Sequence, residues 1–475
     1  ETSAVVFDLD ALRAGLAAVK EAFPPHWLHC FAIKACPLSA IVREFLDAGL
    51  GMETASIGEA YLALAHGCPP AAVVFDSPAK TQAELELALA RGILVNANCL
   101  DELDRIHAII EAGAGATGEE GKGADCRGRF SAARVGIRIN PLVGAGSIAE
   151  LSVSTRGSKF GVPATAGNRR RVLDAFGRWP WLVGLHVHVG SQGCSLEQLA
   201  EGVAVAWELA DAVDTRHGPG RVSVLDIGGG LPANYSSEEA TPSFAEYAAV
   251  LQRRVPGLFR CGGGDNGNGR PGRTVVTEFG RALVTKAAFV ATRVEYVRRW
   301  QPERPGKEGH ADEEEEEEQE ERHGDRRQGQ LGQQPEAVAA EAAEHQTLIT
   351  HAGSDLFLRE CYCPGKFPHR LSVHGGGDGA PLPGPAVPTD VAGPLCFGGD
   401  FLARGARLPA ARPGDLVVVH DAGANSLSMF SRHCSRPAPA VYGYTAGGRE
   451  ATVHVRLLKP KETLEDVVRF WGAPV

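Results

Sequence analysis

From about residue 13 to 285, short β-rich runs alternate with amphipathic helical stretches, and this alternation restricts the fold more than any other feature of the chain. The strand-like runs are 28–34, 72–76, 92–96, 134–139, 182–189, 222–227 and 274–277. Between them, 38–48, 57–66, 81–91, 99–112, 196–213 and 243–253 read as helices. Strand–helix alternation implies a parallel sheet, and its extent fits a (β/α)8 TIM barrel of about 250 residues. An open doubly wound sheet is the alternative, but no GxGxxG follows the first strand. Barrel chemistry gathers at the carboxyl ends of the strands, and Lys34, His188, Gly228 to Gly230 and Glu278 all stand at such ends.

After residue 285 the pattern changes to short Val-rich runs at 286–298, 415–420 and 451–458, with turn residues between them and little helix. This predicts a second, all-β domain, a barrel or sandwich. The expected division is 13–285 for the barrel and 1–12 plus 286–475 for the β domain. An acidic insertion at 301–345 interrupts the latter. It holds 15 Asp/Glu against 5 Lys/Arg, which accounts for the whole net charge of −10, and it lacks the apolar residues needed to order itself. The remainder balances at 43 charges of each sign, so the folded body has no excess charge for nucleic acid or membrane lipid. Gly-rich stretches at 113–129, 261–273 and 374–389 read as surface loops.

No apolar run approaches the ~20 residues of a spanning helix, so a soluble globular protein is expected. The 11 cysteines are scattered without CxxC pairs, which argues against a disulfide framework or zinc site and for the cytoplasm or another reducing compartment. The chain opens on Glu1 and enters strand-like Ala4-Val5-Val6-Phe7 at once. A missing amino-terminal piece is therefore expected, and no targeting signal can be judged.

Lys34 lies in the apolar run Phe31-Ala32-Ile33-Lys34-Ala35-Cys36. A charged amine there costs several kcal/mol unless it snorkels, or unless partial burial makes it a nucleophile able to hold an aldehyde cofactor as an imine. In Leu185-His186-Val187-His188, two histidines at i and i+2 share one strand face. They are core residues, metal ligands without a matching carboxylate or thiolate in the sequence, or one of them lies flat on a cofactor ring. Gly228-Gly229-Gly230 lets backbone N–H groups approach an anion such as phosphate, although triple glycine also occurs in plain loops. Glu278-Phe279-Gly280-Arg281 offers a guanidinium fork beside a carboxylate, or a simple ion pair. Phe7-Asp8-Leu9-Asp10 looks like a phosphatase strand with paired aspartates, but helix capping explains the pair better.

Together, in this order, these runs resemble the alanine-racemase-like pyridoxal-phosphate enzymes and, within them, the ornithine/diaminopimelate/arginine decarboxylase family. The lysine run resembles YAVKAN, and Glu53-Thr54-Ala55-Ser56-Ile57-Gly58-Glu59 resembles D-x-A-S-x-G-E. Arg138-Ile139-Asn140-Pro141 and Ser158-Lys159-Phe160-Gly161 match RINP and SKFG; Glu278 to Arg281 stands for EPGR. Gly393-Pro394-Leu395-Cys396 with Asp400 resembles GPxCxxxD, and Leu408-Pro409 with Gly414-Asp415 continues that block.

The resemblance implies pyridoxal 5′-phosphate as cofactor and decarboxylation of a small amino acid through a Lys34 aldimine and a quinonoid intermediate. It implies that His188 stacks on the ring and that Glu278 keeps the ring nitrogen protonated. Ser191, Gly228, Gly229, Gly230, Gly280 and Arg281 would hold the phosphate, and Glu53, Glu59 and Arg138 would form a supporting polar shell. Cys396 corresponds to the family's cysteine that enters the partner subunit's site and protonates the α-carbon, which implies a homodimer with shared sites. Arg359 would bind a distal substrate carboxylate with Tyr362 near it, although RPxLY is only partly kept. No metal is implied.

Three positions depart from the family. Phe397 stands where relatives carry an acid that reads a distal amine. Asn425 replaces the GAY tyrosine at the cofactor phosphate, and Phe279 replaces the proline of EPGR. An amino acid with a less polar or differently charged distal end is therefore expected as substrate. The alternatives are a non-catalytic member acting by dimerisation and a racemase of the same superfamily.

Overall fold

The structure is a computed structural model; it describes residues 1–115, 130–260, 272–301, 344–447 and 452–473. The expected loops at 113–129 and 261–273 and the acidic segment lie largely outside the described residues. The strands are β1 (Ser3–Asp8), β2 (Leu28–Ala32), β3 (Gly51–Thr54), β4 (Val73–Phe75), β5 (Leu94–Ala97), β6 (Arg134–Asn140), β7 (Val162–Pro163), β8 (Leu182–Val187) and β9 (Val224–Asp226). They continue as β10 (Thr274–Phe279), β11 (Ala288–Trp300), β12 (His345–Thr350), β13 (Leu371–His374), β14 (Ala386–Ala392), β15 (Phe401–Pro409), β16 (Leu416–Val419), β17 (Ala440–Gly447) and β18 (Thr452–Lys459).

Eight parallel strands close a barrel in the order β5-β4-β3-β2-β10-β9-β8-β6, with β6 returning to β5 and the short β7 attached to β6. Seven of these strands coincide with the predicted runs. The eighth, β3, was read as motif rather than strand, because Gly51-Met52-Glu53-Thr54 is short and carries a buried acid. The first run also ends early. β2 stops at Ala32, and Ile33–Ala35 makes one 3-10 turn closed by Cys36 N–H to Ile33 O at 2.9 Å, which turns Lys34 out of the strand.

The lumen is built in layers. Cys30, Val74, Leu94, Val224 and Val276 form a small apolar cluster inside the barrel. Side chains alternate along a strand, so two residues beyond Val74, Leu94, Val224 and Val276 come Asp76, Asn96, Asp226 and Glu278, all buried. Asn96 Nδ2 donates to Asp226 Oδ2 at 3.1 Å, and His186 approaches Asp76 at 3.4 Å. Neither pair is on neighbouring strands, so both contacts cross the lumen. An apolar layer thus supports a polar one, with the chain's acids nearer the carboxyl ends.

The second sheet runs β15-β14-β12-β11-β1-β17-β18, with β16 on β11 and β13 on β16. β1 lies at its centre, antiparallel to β11 and parallel to β17. β11 pairs with β12 as far as Trp300 and His345, whose rings stack at 4.3 Å, so His345 belongs to the strand rather than to the acidic segment. Asp8 caps the helix Leu9–Ala22 by accepting from the Asp10 and Ala11 N–H groups at 3.0 and 2.9 Å, which accounts for the first aspartate of the pair. Among the described residues, no helix is long and apolar enough to cross a membrane.

His29 on β2 is buried against Thr277 of β10, with Nδ1 2.8 Å from Oγ1. Burial first, then Lys20, lowers its pKa from 6.5 to about 4. The unfolded chain therefore binds the extra proton in that window, and stability is lost as the pH falls through it. This single group is expected to cost about 2 kcal/mol between ~pH 7 and ~pH 5. Urea unfolding across that range should show a shallower loss in His29→Gln than in the wild type.

Candidate active site

The turn after β2 presents Lys34 at the barrel mouth, where its side chain is 46% exposed, while its partner Glu53 on β3 is fully sealed. Lys34 Nζ lies 2.6 and 2.5 Å from the two Glu53 oxygens. Burial pushes Glu53 up to about 8, with Lys34 opposing. For Lys34 itself burial works downward, but Glu53 and then Glu278 outweigh it and raise the amine above its ordinary value.

Glu278 enters from β10. Its Oε2 stands 3.5 Å from His186 Nε2 and 3.8 Å from His188 Nδ1, and neither carboxylate oxygen has a hydrogen-bond partner. Burial favours protonation, yet His186 ahead of His188 and Lys34 holds Glu278 well below the usual carboxylate range. Asp226 carries the opposite shift, raised by burial, Glu278 and Asp76. The geometry therefore supplies the carboxylate partner that the sequence did not reveal for the two histidines. His186, His188 and Glu278 converge within 4.8 Å.

Above this floor lies a backbone cradle. A Cβ at Gly229 would overlap the Glu278 carbonyl oxygen, and one at Gly230 the Gly190 carbonyl oxygen, with Gly230 at φ +92°. Gly229 N–H donates to His188 Nδ1 at 3.3 Å, which orients the imidazole at the mouth. Arg281, buried just after Gly280, reaches Ser191 Oγ at 3.5 Å and donates to Tyr235 Oη at 2.9 Å. Its guanidinium and that of Arg359 both lie over the Phe367 ring, at 5.3 and 4.7 Å. Arg359 Nε and Nη1 are buried without a hydrogen-bond partner. Arg138 is buried on β6 and stacks on Phe160 at 4.4 Å.

Other predicted residues lie elsewhere or act differently. Glu59 accepts from Ala55 N–H at 2.7 Å and closes the first turn of the helix Ile57–Ala65, so it serves as a cap rather than as polar shell. Asn425 meets the site through its backbone, in the left-handed region at φ +58°, donating its N–H to Ala35 O at 2.8 Å. Cys396 and Phe397 sit on an exposed turn of the β domain, where Phe397 shares a groove with Glu360, Cys361, Phe401 and Arg404. Tyr362 is half exposed, with its hydroxyl 3.6 Å from Met429 Sδ. Phe279, in place of the family's proline, is buried among Phe23, Phe244 and Tyr247. Asp76, Asp226, Tyr235 and Phe367 are not among the site residues that the sequence indicates, and His186 figures there only as one of the histidine pair. The signal for Asp76 was its place two residues past a buried apolar strand residue.

A lysine clamped by a buried glutamate, a carboxylate floor, a glycine cradle and a buried arginine thus meet at the carboxyl end of this barrel, the usual place for chemistry on the fold. The chain belongs to the pyridoxal-dependent decarboxylases: residues 9–285 match the family described as "Pyridoxal-dependent decarboxylase, pyridoxal binding domain". Among similar proteins, the diaminopimelate decarboxylase of Methanothermobacter thermautotrophicus is 27% identical over 94% of this chain and 85% of its own length. That of Helicobacter pylori is 26% identical over 99% and 95%. A point mutant of Helicobacter pylori diaminopimelate decarboxylase, solved in complex with L-lysine, is 25% identical, superposes with a TM-score of 0.73 and is covered over 97% of its length by 99% of this chain.

The protein is thus a carboxy-lyase that uses pyridoxal 5′-phosphate on an amino acid. The residues present fit that cofactor. Glu278's oxygens, buried without a hydrogen-bond partner, suit a ring N–H, and the buried Arg281 guanidinium beside Ser191 suits a phosphate. Gly229→Ala should displace the backbone carrying Glu278. Overpacking of this kind costs about 1–3 kcal/mol, and cofactor affinity should fall about tenfold or more. Spectroscopic titration of apoprotein with pyridoxal phosphate measures this; an unchanged dissociation constant would remove the glycines from the site.

Proposed function

We propose that the enzyme decarboxylates an α-amino acid bearing a distal carboxylate, with Lys34 carrying the cofactor. The observation that supports this most is the joint placement of Lys34, clamped by Glu53, and the unpartnered Glu278 across the same barrel mouth. Glu53, pushed up to about 8, is placed to take a proton from the amine that it also orients. Glu278, held ionised, would face the pyridine nitrogen and hold a proton there. The backbone N–H groups around Gly228 to Gly230, with Ser191, Gly280 and Arg281, would bind the phosphate, and His188 would cover the ring; Arg138, stacked on Phe160, would belong to the surrounding polar shell. Bound pyridoxal phosphate supplies the electron sink for the pair left behind when carbon dioxide departs.

The enzyme acts as a homodimer in this reading, in which Cys396, on an exposed turn, would enter a partner's site. Its thiol returns a proton to the α-carbon. Arg359, with two buried and unpartnered nitrogens, takes the substrate's distal carboxylate. Phe397, next to Cys396, offers no partner to a distal ammonium, a loss of about 3 kcal/mol or more.

A panel assayed for carbon dioxide release tests both parts. Straight-chain α-amino dicarboxylic acids such as 2-aminopimelate should exceed meso-diaminopimelate by about 100-fold in kcat/KM. Equal or faster turnover of meso-diaminopimelate refutes the specificity. Lys34→Ala should release no carbon dioxide and lose the visible absorbance of the imine; retention of both refutes the reaction.

A further inference from the structure

Among the groups of the polar layer with no part in the reaction as proposed are His186 and Asp76. His186 lies fully buried on β8, one pleat step below His188. Its Nε2 stands 3.4 Å from Asp76 Oδ2 and 3.5 Å from Glu278 Oε2, within ion-pair distance of both. No hydrogen-bond partner is found for either ring nitrogen, either Glu278 oxygen or Asp76 Oδ1.

The surroundings explain why such a group is needed. Glu53 of β3, Asp76 after β4, Asp226 of β9 and Glu278 of β10 bring four carboxylates into one enclosed space. Lys34 after β2, Arg138 of β6 and His188 after β8 face the same space. Adjacent carboxylates in a low-dielectric site do not all ionise. Asp226, like Glu53, is displaced toward its neutral form, and it is anchored by Asn96 Nδ2 and by Gly228 N–H at 3.0 Å. Something must decide that Glu278 and not Asp226 keeps the charge. His186 Nε2 faces Glu278 from β8, with Asp76 at nearly the same distance from the opposite wall of the lumen and Asp226 as the acid that shares Glu278's surroundings.

We propose that His186 is a positioning residue that donates its Nε2 proton toward Glu278, in competition with Asp76 at the same nitrogen, and so keeps that carboxylate ionised and turned toward the cofactor ring. This rests on the reading that Glu278 faces the pyridine nitrogen. Two consequences follow. Without the donor, Glu278 protonates more readily, so activity is lost at a higher pH on the acid side. The loss falls on the chemical step, because His186 touches neither the phosphate cradle nor Arg359.

The test uses the holoenzyme with His186→Gln, Asp76→Asn and Glu278→Gln. For His186→Gln, kcat should fall about 10–100-fold, as for residues that orient a ligand from behind, with KM within about twofold. The acid limb of the kcat–pH profile should move to higher pH, and the pH titration of the bound cofactor's absorbance should move with it. Asp76→Asn, which removes a like charge and a competing acceptor at the same nitrogen, should leave both profiles in place or move them to lower pH, and a move to higher pH there overturns the inference.

Wild-type profiles in His186→Gln overturn the inference. If that variant fails to fold by circular dichroism and melting, His186→Asn is read by the same criterion. Glu278→Gln separates the two levels. Loss of activity there beside wild-type behaviour in the histidine variants sinks only the role of His186, whereas full activity in Glu278→Gln sinks the underlying reading of the site.

Discussion

The burial of Glu53, Asp76, Asp226 and Glu278 inside one barrel is the constraint on which the rest of the structure turns. A buried carboxylate is tolerated when a cation or a set of donors compensates it, and stripping the partner from such a pair costs about 3–5 kcal/mol. Each acid here has a distinct solution. Glu53 grips Lys34, Asp226 takes Asn96 and Gly228, and Glu278 is held by His186 and His188. The alternation of strand side chains brings these groups to one level, because Arg138, His186 and Asp226 are register partners on three neighbouring strands. The apolar layer beneath leaves the acids no escape toward water at that end, so their charges are settled among themselves and the groups at the mouth.

The second sheet is not an appendage to this arrangement. Its loop at 421–428 docks on the lysine turn, where Asn425 N–H and Ser428 Oγ both bond to Ala35 O at 2.8 and 3.3 Å. Asp421, at the head of that loop, is paired to Lys286 at 3.1 Å and to Arg370 at 3.0 Å. Asparagine suits the left-handed backbone at 425 because its short polar side chain tolerates it. The residue that replaces the family's tyrosine thus retains a role through its main chain, in fixing where Lys34 points.

Much of this was legible before any coordinates, and the exceptions have physical causes. Seven barrel strands follow from apolar runs between helices, and Lys34, His188, Glu278 and Arg281 follow from motifs with fixed chemistry. β3 escaped notice because a four-residue strand carrying a buried glutamate shows no apolar run. Lys34 was placed on a strand because Phe31 to Cys36 is apolar throughout, and hydrophobicity does not distinguish a buried turn from a buried strand. Asp76 belongs to no motif; only the closure of the barrel sets β4 opposite β8 and brings it to His186. Glu59 shows the converse error, since a motif position near the lysine is satisfied locally by a helix start.

The departures from the family pattern divide by location, and the division carries meaning. Phe279 points away from the lumen into an aromatic cluster, so it changes packing around the barrel while Glu278, its neighbour on the strand, keeps its inward place. Phe397 lies on an exposed turn with no strand to fix it, and Asn425 on a loop that meets the site from outside. The acids, histidines and glycine cradle that bear on the reaction are on strands or immediately after them. Rigid strands hold reacting groups to the tolerances that electron withdrawal and proton transfer require, whereas turns at the rim can change without disturbing them. A substitution such as Phe397 on an exposed turn therefore leaves in place the groups that the strands hold at the barrel mouth.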